Sequence, residues 1–228
     1  MFPDRKMKAL TLSYDDGVEQ DIKLLEILNR YGIKAAFNLN SGIQSGASRF
    51  IKGEITVKRL NISVLPEIYR GHEIAVHSLT HPRLETHDEE TVFNELEQDK
   101  INLERIFNTK IHGMAYPFGT FNDEVVKLVK KCGLSYARGV KSTNSFDIPV
   151  DLLTYQPTIH HNDPSLMKYA EEFINLKPDK PQVFYVWGHS YEFEVDNNWK
   201  LIEDFCRLIS GKDDIYYATN SQALLGII

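Results

Sequence analysis

Short apolar runs typical of β-strands alternate with amphipathic helical patterns along the whole chain. The longest helical pattern spans residues 88–107, and the strand-like runs lie at residues 9–12, 35–40, 73–77, 113–116, 135–140, 153–160, 183–187 and 215–219. This alternation is typical of parallel sheets in which a helix joins each strand to the next. The 228 residues contain no linker-like segment, so we expect a single α/β domain covering residues 1–228. Seven or eight mostly parallel strands favour a closed or nearly closed (β/α) barrel, with an open doubly wound sheet as the alternative.

The segment between residues 41 and 64 departs from this alternation. It contains three glycines and no periodic apolar pattern. We therefore interpret it as a loop insertion with room for a small hairpin.

The overall composition restricts the possible partners. A net charge of −6 without a basic tract argues against a nucleic-acid partner. No apolar run is long enough to span a bilayer, and residues 1–6 lack the apolar core of a signal peptide. We therefore expect a cytoplasmic protein without a membrane partner, although export directed by a removed leader stays open. The two cysteines, Cys132 and Cys206, form no disulfide or zinc-ribbon pattern and are expected to be buried thiols.

Two adjacent carboxylates end the first strand-like run. The apolar residues 9–12 lead into Asp15 and Asp16, and Gly17 then allows a sharp turn. Chemistry in parallel α/β folds is concentrated at the carboxyl ends of strands. Two neighbouring carboxylates repel each other unless a cation or a shared proton relieves the repulsion. The alternative interpretation is a polar strand-to-helix turn in which an aspartate caps the helix.

A pair of histidines follows the third strand-like run, at the same expected rim of the sheet. His77 and His81 are four residues apart and precede Pro82, so one helical turn would bring both rings to one ion. Two histidines and one carboxylate with an open position are typical of a catalytic metal site. Imidazole ligands favour zinc, and iron, cobalt or manganese could bind the same set. A surface pair of histidines is the alternative.

At this point the sequence resembles the polysaccharide deacetylase family, whose members share a deformed (β/α) barrel. Four of the family's motifs are recognisable in order: Ser13-Tyr14-Asp15-Asp16-Gly17, His77-Ser78-Leu79-Thr80-His81, Ala115-Tyr116-Pro117-Phe118-Gly119, and the apolar strand Val183–Trp187 followed by Gly188-His189. The first two motifs together are highly specific, and the other two would be weak alone.

The resemblance implies a role for each matched residue. It assigns the ligands of a divalent metal to Asp16, His77 and His81. Asp15 would be the general base, the backbone N–H of Phe118 would stabilise the oxyanion, and His189 would be the general acid. Such an enzyme hydrolyses an amide with the help of a metal, a base and an acid.

The sequence departs from the family pattern in two places. Ala115 stands where the third motif usually carries an arginine, and the fourth motif is not recognisable. We expect Arg138, on the strand-like run 135–140, to reach Asp15 and orient it in place of the missing arginine. The alternative for Arg138 is an exposed position at the strand end.

Aromatic side chains and two further histidines are expected near the same rim. The aromatic residues Tyr14, Phe118, Trp187 and Tyr191 could contact the apolar face of a sugar, or could belong to the core. His160 and His161 could be site residues or solvent-facing.

Three functions remain open at this stage. The leading hypothesis is a metal-dependent hydrolase that removes an N-acetyl or similar acyl group from an amino sugar or polysaccharide. The second is hydrolysis of other non-peptide C–N bonds, in cyclic ureides, imides or formamides. The third is a barrel that binds carbohydrate without turnover. In each case the expected partner is a small molecule or an oligosaccharide.

Overall fold

The computed structural model of the protein describes residues 1–227. Within these residues ten strands occur in chain order: β1 (Lys8–Asp15), β2 (Ala35–Leu39), β3 (Arg49–Lys52), β4 (Ile55–Lys58), β5 (Glu73–Val76), β6 (Gly113–Ala115), β7 (Tyr136–Arg138), β8 (Ile159–His160), β9 (Gln182–Gly188) and β10 (Ile215–Tyr217). The same residues contain eight α-helices: α1 (Gln20–Arg30), α2 (Leu65–Ile68), α3 (Glu89–Phe107), α4 (Asp123–Lys131), α5 (Leu166–Asn175), α6 (Glu192–Val195), α7 (Trp199–Ile209) and α8 (Asn220–Leu225).

The main sheet is parallel and curls into an incomplete barrel. Its strand order is β7-β6-β5-β2-β1-β9-β8, and β10 pairs with β1 as well. The two edges are bridged by a loop, because the Tyr155 N–H donates to the Ala137 carbonyl at 3.0 Å and the Gly139 N–H donates to the Tyr155 carbonyl at 2.9 Å. The expected single α/β domain with a deformed (β/α) barrel is confirmed.

The centre of the sheet is formed by the two longest strands. Every residue of β1 and of β9 is buried, as expected for parallel strands covered on both faces. Helix α3 is capped at its N-terminus by Asp88, whose side chain accepts a hydrogen bond from the Thr91 N–H. Its C-cap is Asn108, which has a left-handed conformation. None of the helices in the described part of the chain is long and apolar enough to cross a membrane.

The insertion between β2 and α2 contains the antiparallel hairpin β3–β4, as the sequence allowed. Its end is fastened to the turn that follows β1, since the Glu19 N–H donates to the Lys58 carbonyl and the Leu60 N–H donates to the Gly17 carbonyl, both at 2.9 Å. The hairpin therefore forms one wall above the end of β1.

The structure shortens one predicted strand and decides between the two positions left open for Tyr14. The expected strand at 153–160 is limited to Ile159–His160, because residues Leu152–Thr154 form a 3₁₀ turn and Pro157 has no N–H to donate to a ladder. Tyr14 is fully buried against Phe37 and belongs to the core, not to the rim. Both cysteines are buried free thiols, as expected.

A buried carboxyl group joins three elements below the rim. Asp21, on α1, accepts hydrogen bonds from the Tyr69 hydroxyl at 2.6 Å, the Ser190 hydroxyl at 2.5 Å and the Val18 N–H at 3.1 Å. Burial raises the pKa of Asp21 to about 7, although these hydrogen bonds oppose the shift. The folded protein therefore binds a proton at Asp21 more tightly than the unfolded chain does.

We expect the contribution of Asp21 to stability to be complete below its ordinary pKa of 3.8 and to be lost as the pH rises through about 7. In the Asp21→Asn variant this loss is absent. The free energy of unfolding of the variant, relative to wild type, should therefore rise by up to about 1 kcal/mol per pH unit across this window. Chemical denaturation at several pH values measures it, with Glu26→Gln, exposed on the same helix, as control. Parallel pH profiles for wild type and Asp21→Asn would contradict the assignment.

Candidate active site

A cavity of about 560 Å³ opens at the carboxyl ends of the central strands. Six of the seven residues to which the sequence assigned a catalytic or metal-binding role line it: Asp15, Asp16, His77, His81, Phe118 and His189. The hairpin β3–β4 and the residue after it add Phe50, Lys52 and Arg59 to the wall. The strand-end motifs therefore meet in one place, because the carboxyl ends of parallel strands lie at the same edge of a sheet.

The two adjacent carboxylates have different partners. Asp15 closes β1, and its Oδ1 accepts hydrogen bonds from Asn38 at 2.8 Å and from the guanidinium of Arg138. Asp16 has a φ of 82°, which turns its side chain away from that of Asp15. Its Oδ1 accepts a hydrogen bond from Arg59 Nη2 at 3.0 Å.

Arg138 makes the contact with Asp15 that the sequence led us to expect. Its side chain is fully buried, so the alternative of an exposed strand-end arginine is wrong. Its Nε also donates to Ser13 Oγ at 3.2 Å. Burial alone would raise the pKa of Asp15, but the charge of Arg138, aided by nearby histidines, outweighs it and lowers that pKa to about 2. Asp15 is therefore an anion at neutral pH.

The two histidines of the second motif are brought together by bends instead of the expected helical turn. Ser78 and His81 both have left-handed backbone, with φ of 62° and 64°, and Ser78 Oγ accepts a hydrogen bond from the His81 N–H at 3.1 Å. His77 Nδ1 lies 2.8 Å from the Ala115 carbonyl. Because a carbonyl only accepts, Nδ1 carries the proton and Nε2 keeps its lone pair. Burial lowers the pKa of His77 to about 4, so this ring is neutral.

The donor set formed by Asp16, His77 and His81 fits a divalent transition metal. One ligand atom from each residue lies within 4.8 Å of the others, and Asp16 Oδ1 is 4.0 Å from His81 Nε2. A neutral imidazole with a free Nε2 and an anionic carboxylate are the donors such ions require. The carbonyl that orients His77 is the type of supporting contact found behind metal-bound histidines.

His189 faces both carboxylates from the opposite side of the cavity. Its Nε2 lies 3.9 Å from Asp15 Oδ2 and 4.0 Å from Asp16 Oδ2. Its Nδ1 is 3.3 Å from Glu192 Oε1, and its backbone N–H donates to Glu192 Oε2 at 3.0 Å. Burial would lower the pKa of His189, but Glu192 and the two aspartates outweigh burial and raise it to about 9. His189 is therefore an imidazolium at neutral pH.

His160 and His161, for which a site role and a solvent-facing position were both open, contact Glu192 beside the cavity. Both Nε2 atoms lie 3.1 Å from Glu192 Oε2, an arrangement that could also suit a second metal ion. The backbone N–H of Asn162, however, donates to His160 Nδ1 at 3.2 Å. The proton of neutral His160 must then be on Nε2, so His160 donates to Glu192 and offers no lone pair to an ion.

Backbone strain is concentrated at the site. Four non-glycine residues there have left-handed φ values: Asp16, Ser78, His81 and Phe118. Such conformations are costly and persist only where the surrounding structure enforces them. They orient side chains or peptide groups of three motifs towards the cavity.

Four contributors to the site were missed in the sequence. Glu192 stands three residues after His189, and this i,i+3 spacing on a turn was the available signal. Arg59 lies at the end of the patternless insertion, where no local signal identifies its partner. Asn38 and Asp99 support the site from β2 and α3, since Asp99 accepts hydrogen bonds from the backbone N–H groups of His77 and Ser41 at 3.1 and 2.6 Å.

Comparison with known proteins identifies the family. The sequence profile of the family named polysaccharide deacetylase matches residues 3–137, more than half of the chain. The chain belongs to the polysaccharide deacetylase family. The matched region contains the first three motifs, and His189 and Glu192 lie beyond it. The chain is also 27% identical to the uncharacterized protein YlxY of Bacillus subtilis (strain 168) over 127 residues, which represent 55% of this chain and 35% of YlxY. This chain thus corresponds to well under two thirds of that relative.

Solved structures share the fold of this polysaccharide deacetylase family member at low sequence identity. A candidate polysaccharide deacetylase from Mycobacterium smegmatis superposes with a TM-score of 0.69 at 17% identity, covering 100% of this chain and 92% of that one. A family 4 carbohydrate esterase from Streptomyces lividans, in complex with acetate, gives 0.56 at 16% identity and covers 91% and 90%. A family 4 pseudoenzyme from Bacillus anthracis gives 0.57 at 19% identity and covers 97% and 66%. At these identities the likeness establishes the fold alone.

The Glu192→Gln variant should lower the pKa of His189 below about 9, towards its ordinary value of 6.5. The reason is that the neutral amide removes a negative charge beside Nδ1 but leaves Asp15 and Asp16 in place. Titration of the ¹⁵N-labelled histidines by NMR in the metal-free protein measures the shift. Glu194→Gln, exposed on the same short helix, is the control. An unchanged His189 pKa in Glu192→Gln would show that the aspartates alone maintain the imidazolium.

Proposed function

We propose that the protein is a metal-dependent hydrolase that removes an N-acetyl or similar acyl group from an amino sugar or oligosaccharide. The observation that carries the proposal is the division of charge across one cavity. An anionic carboxylate and an imidazolium face each other, and a separate set of metal-type donors lies beside them. Membership of the polysaccharide deacetylase family supports deacetylation as the general reaction.

Asp16, His77 and His81 would hold the metal, and imidazole ligands favour zinc over iron, cobalt or manganese. A divalent ion held by these residues would polarise an amide carbonyl and lower the pKa of bound water towards ~7.

Asp15 is suited to remove a proton from the attacking water. Its Oδ1 is held by Asn38 and Arg138, so Oδ2 is directed at the cavity, where it lies 4.0 Å from His77 Nε2 and 3.9 Å from His189 Nε2. A carboxylate fixed on one oxygen presents the other in a single orientation. Arg138 would thus be a positioning residue for the base.

His189 is suited to protonate the departing amine. When hydroxide adds to the carbonyl carbon and the C–N bond breaks, the amine nitrogen needs a proton, because an amide anion is a poor leaving group. The Nε2–H of an imidazolium facing the cavity can supply this proton. The backbone N–H of Phe118 would donate to the oxyanion, and the rings of Phe118, Trp187 and Tyr191 line the cavity as apolar surface for a sugar or an acetyl methyl.

Two other functions compete with this proposal. The absence of the third-motif arginine and of the fourth motif leaves room for hydrolysis of cyclic ureides, imides or formamides. The existence of a pseudoenzyme with this fold favours considering a binding protein without turnover. Intact Asp15, His77, His81 and His189 in a single cavity argue for turnover, since a binding protein needs no such combination of acid, base and metal donors.

Protein purified without chelators should contain about one divalent metal ion per chain, as expected for a single three-ligand site. His77→Ala should lose most of this metal, because it removes a ligand whose Nε2 is free to bind. His87→Ala, at an exposed histidine, should retain it. Inductively coupled plasma mass spectrometry measures the content, and full metal retention in His77→Ala would refute the ligand set.

Acetate should be released from at least one member of a panel of N-acetylated amino sugars and oligosaccharides. Asp15→Asn should retain the metal and lose rate by ~10²–10⁴, the usual contribution of a positioned acid or base. Asp16→Asn should lose the metal as well. Equal metal loss in both variants would contradict the separate roles.

Ammonia or amine release from ureides or imides, without acetate release, would favour the second function, and saturable sugar binding without either product would favour the third.

A further inference from the structure

The side chain of Arg59 is brought to the candidate metal site by a firmly docked backbone. Arg59 follows β4, its N–H donates to the Ser48 carbonyl at 2.9 Å, and it forms a β-bridge with Val18. The next residue, Leu60, donates its N–H to the Gly17 carbonyl at 2.9 Å. The backbone that carries the Arg59 side chain is therefore attached to the end of β1.

Arg59 depends on Asp16 for compensation of its charge. The residue is only 7% exposed, and Nη2 lies 3.0 Å from Asp16 Oδ1. Within residues 1–227 Asp16 is its ion-pair partner, and Nε and Nη1 meet no acceptor. The rest of the guanidinium lies over the Phe50 ring, 5.1 Å from the ring centroid. When a buried cation has a single carboxylate partner, a second cation that binds the same carboxylate weakens that ion pair.

The same carboxylate belongs to the proposed metal-binding set. Asp16 Oδ1, which Arg59 contacts, is also the atom 4.0 Å from His81 Nε2. A divalent ion bound there and the guanidinium of Arg59 would both contact Asp16 and would lie close to each other. Repulsion between like charges a few ångströms apart is strong where water is largely excluded.

The opposite effect would be expected if Arg59 merely oriented its neighbour. Hydrogen-bond donors behind metal ligands usually strengthen metal binding, and their loss weakens it by about 10–100-fold. Asp16, however, is oriented by its own backbone. Its φ is 82°, its N–H donates to the Asn38 carbonyl at 3.1 Å, and its carbonyl accepts from Gln44 Nε2 at 2.7 Å. We therefore expect the repulsion between Arg59 and the ion to outweigh any gain from the orientation of Asp16 by Arg59.

We propose that Arg59 is a built-in competing cation that weakens metal binding at the candidate site. In the metal-free protein the charge of Arg59 balances that of Asp16. In the metal-bound protein the guanidinium and the ion would both contact Asp16. The inference rests on the proposed metal site formed by Asp16, His77 and His81. By thermodynamic linkage, a bound ion must weaken the contact between Arg59 and Asp16 by the same free energy by which that contact weakens binding of the ion.

The test is a measurement of zinc affinity in metal-free protein, by competition with a chromophoric chelator. Arg59→Met, which removes the charge but retains much of the apolar stem, should bind zinc more tightly by about tenfold or more. Arg59→Lys, which retains the charge, should remain within about threefold of wild type. Arg49→Met, at an exposed arginine on the other face of the hairpin, is the matched control and should leave the affinity unchanged.

An unchanged or weaker zinc affinity in Arg59→Met would overturn the inference, and so would tighter binding of equal size in Arg49→Met. If Arg59→Met does not fold, as judged by circular dichroism, Arg59→Gln removes the charge with a polar group and must show the same tightening. Wild-type protein that binds no zinc would overturn the metal site and this inference together. If wild type binds zinc but neither Arg59→Met nor Arg59→Gln binds it more tightly, the inference alone is overturned.

Discussion

The site depends on the separate cationic partners of two neighbouring carboxylates at the end of the central strand. Asp15 and Asp16 are buried and adjacent, so each needs its own cation. Arg138 reaches Asp15 from β7 at one edge of the sheet, and Arg59 reaches Asp16 from the hairpin insertion. Opposite backbone conformations at the two residues separate the side chains enough for this division.

Burial and local charge then give the surrounding histidines different states. His77 is buried beside a carbonyl and remains neutral, because the cost of charging it exceeds the attraction of the aspartates. His189 is also surrounded by protein, but Glu192 adds a third carboxylate and makes the charged form favourable. Identical side chains thus offer a lone pair on one side of the cavity and a proton on the other. This asymmetry is what an amide hydrolase would require.

The arginine that contacts Asp15 lies outside the family's third motif. The position of the missing arginine is occupied by Ala115, whose carbonyl still orients His77. The guanidinium that contacts Asp15 comes instead from Arg138, at the end of the next strand. Because β6 and β7 are adjacent in the sheet, a side chain from either strand can reach the same carboxylate. In this protein the guanidinium beside Asp15 therefore comes from β7 and not from the third motif, which follows β6.

The sequence by itself determined the alternation of strands and helices, and hence the meeting of Asp15, Asp16, His77 and His81 at one edge. Local periodicity and strand ends are sufficient for this, since parallel strands must align their carboxyl ends. The contact between Arg138 and Asp15 was expected from the sequence, but the tertiary structure alone decided the partner of Asp16. Arg59 lies in a segment without periodic pattern, and its contact with Asp16 spans 43 residues. The charge state of each histidine likewise depends on burial and on neighbours from distant segments, which no local pattern encodes.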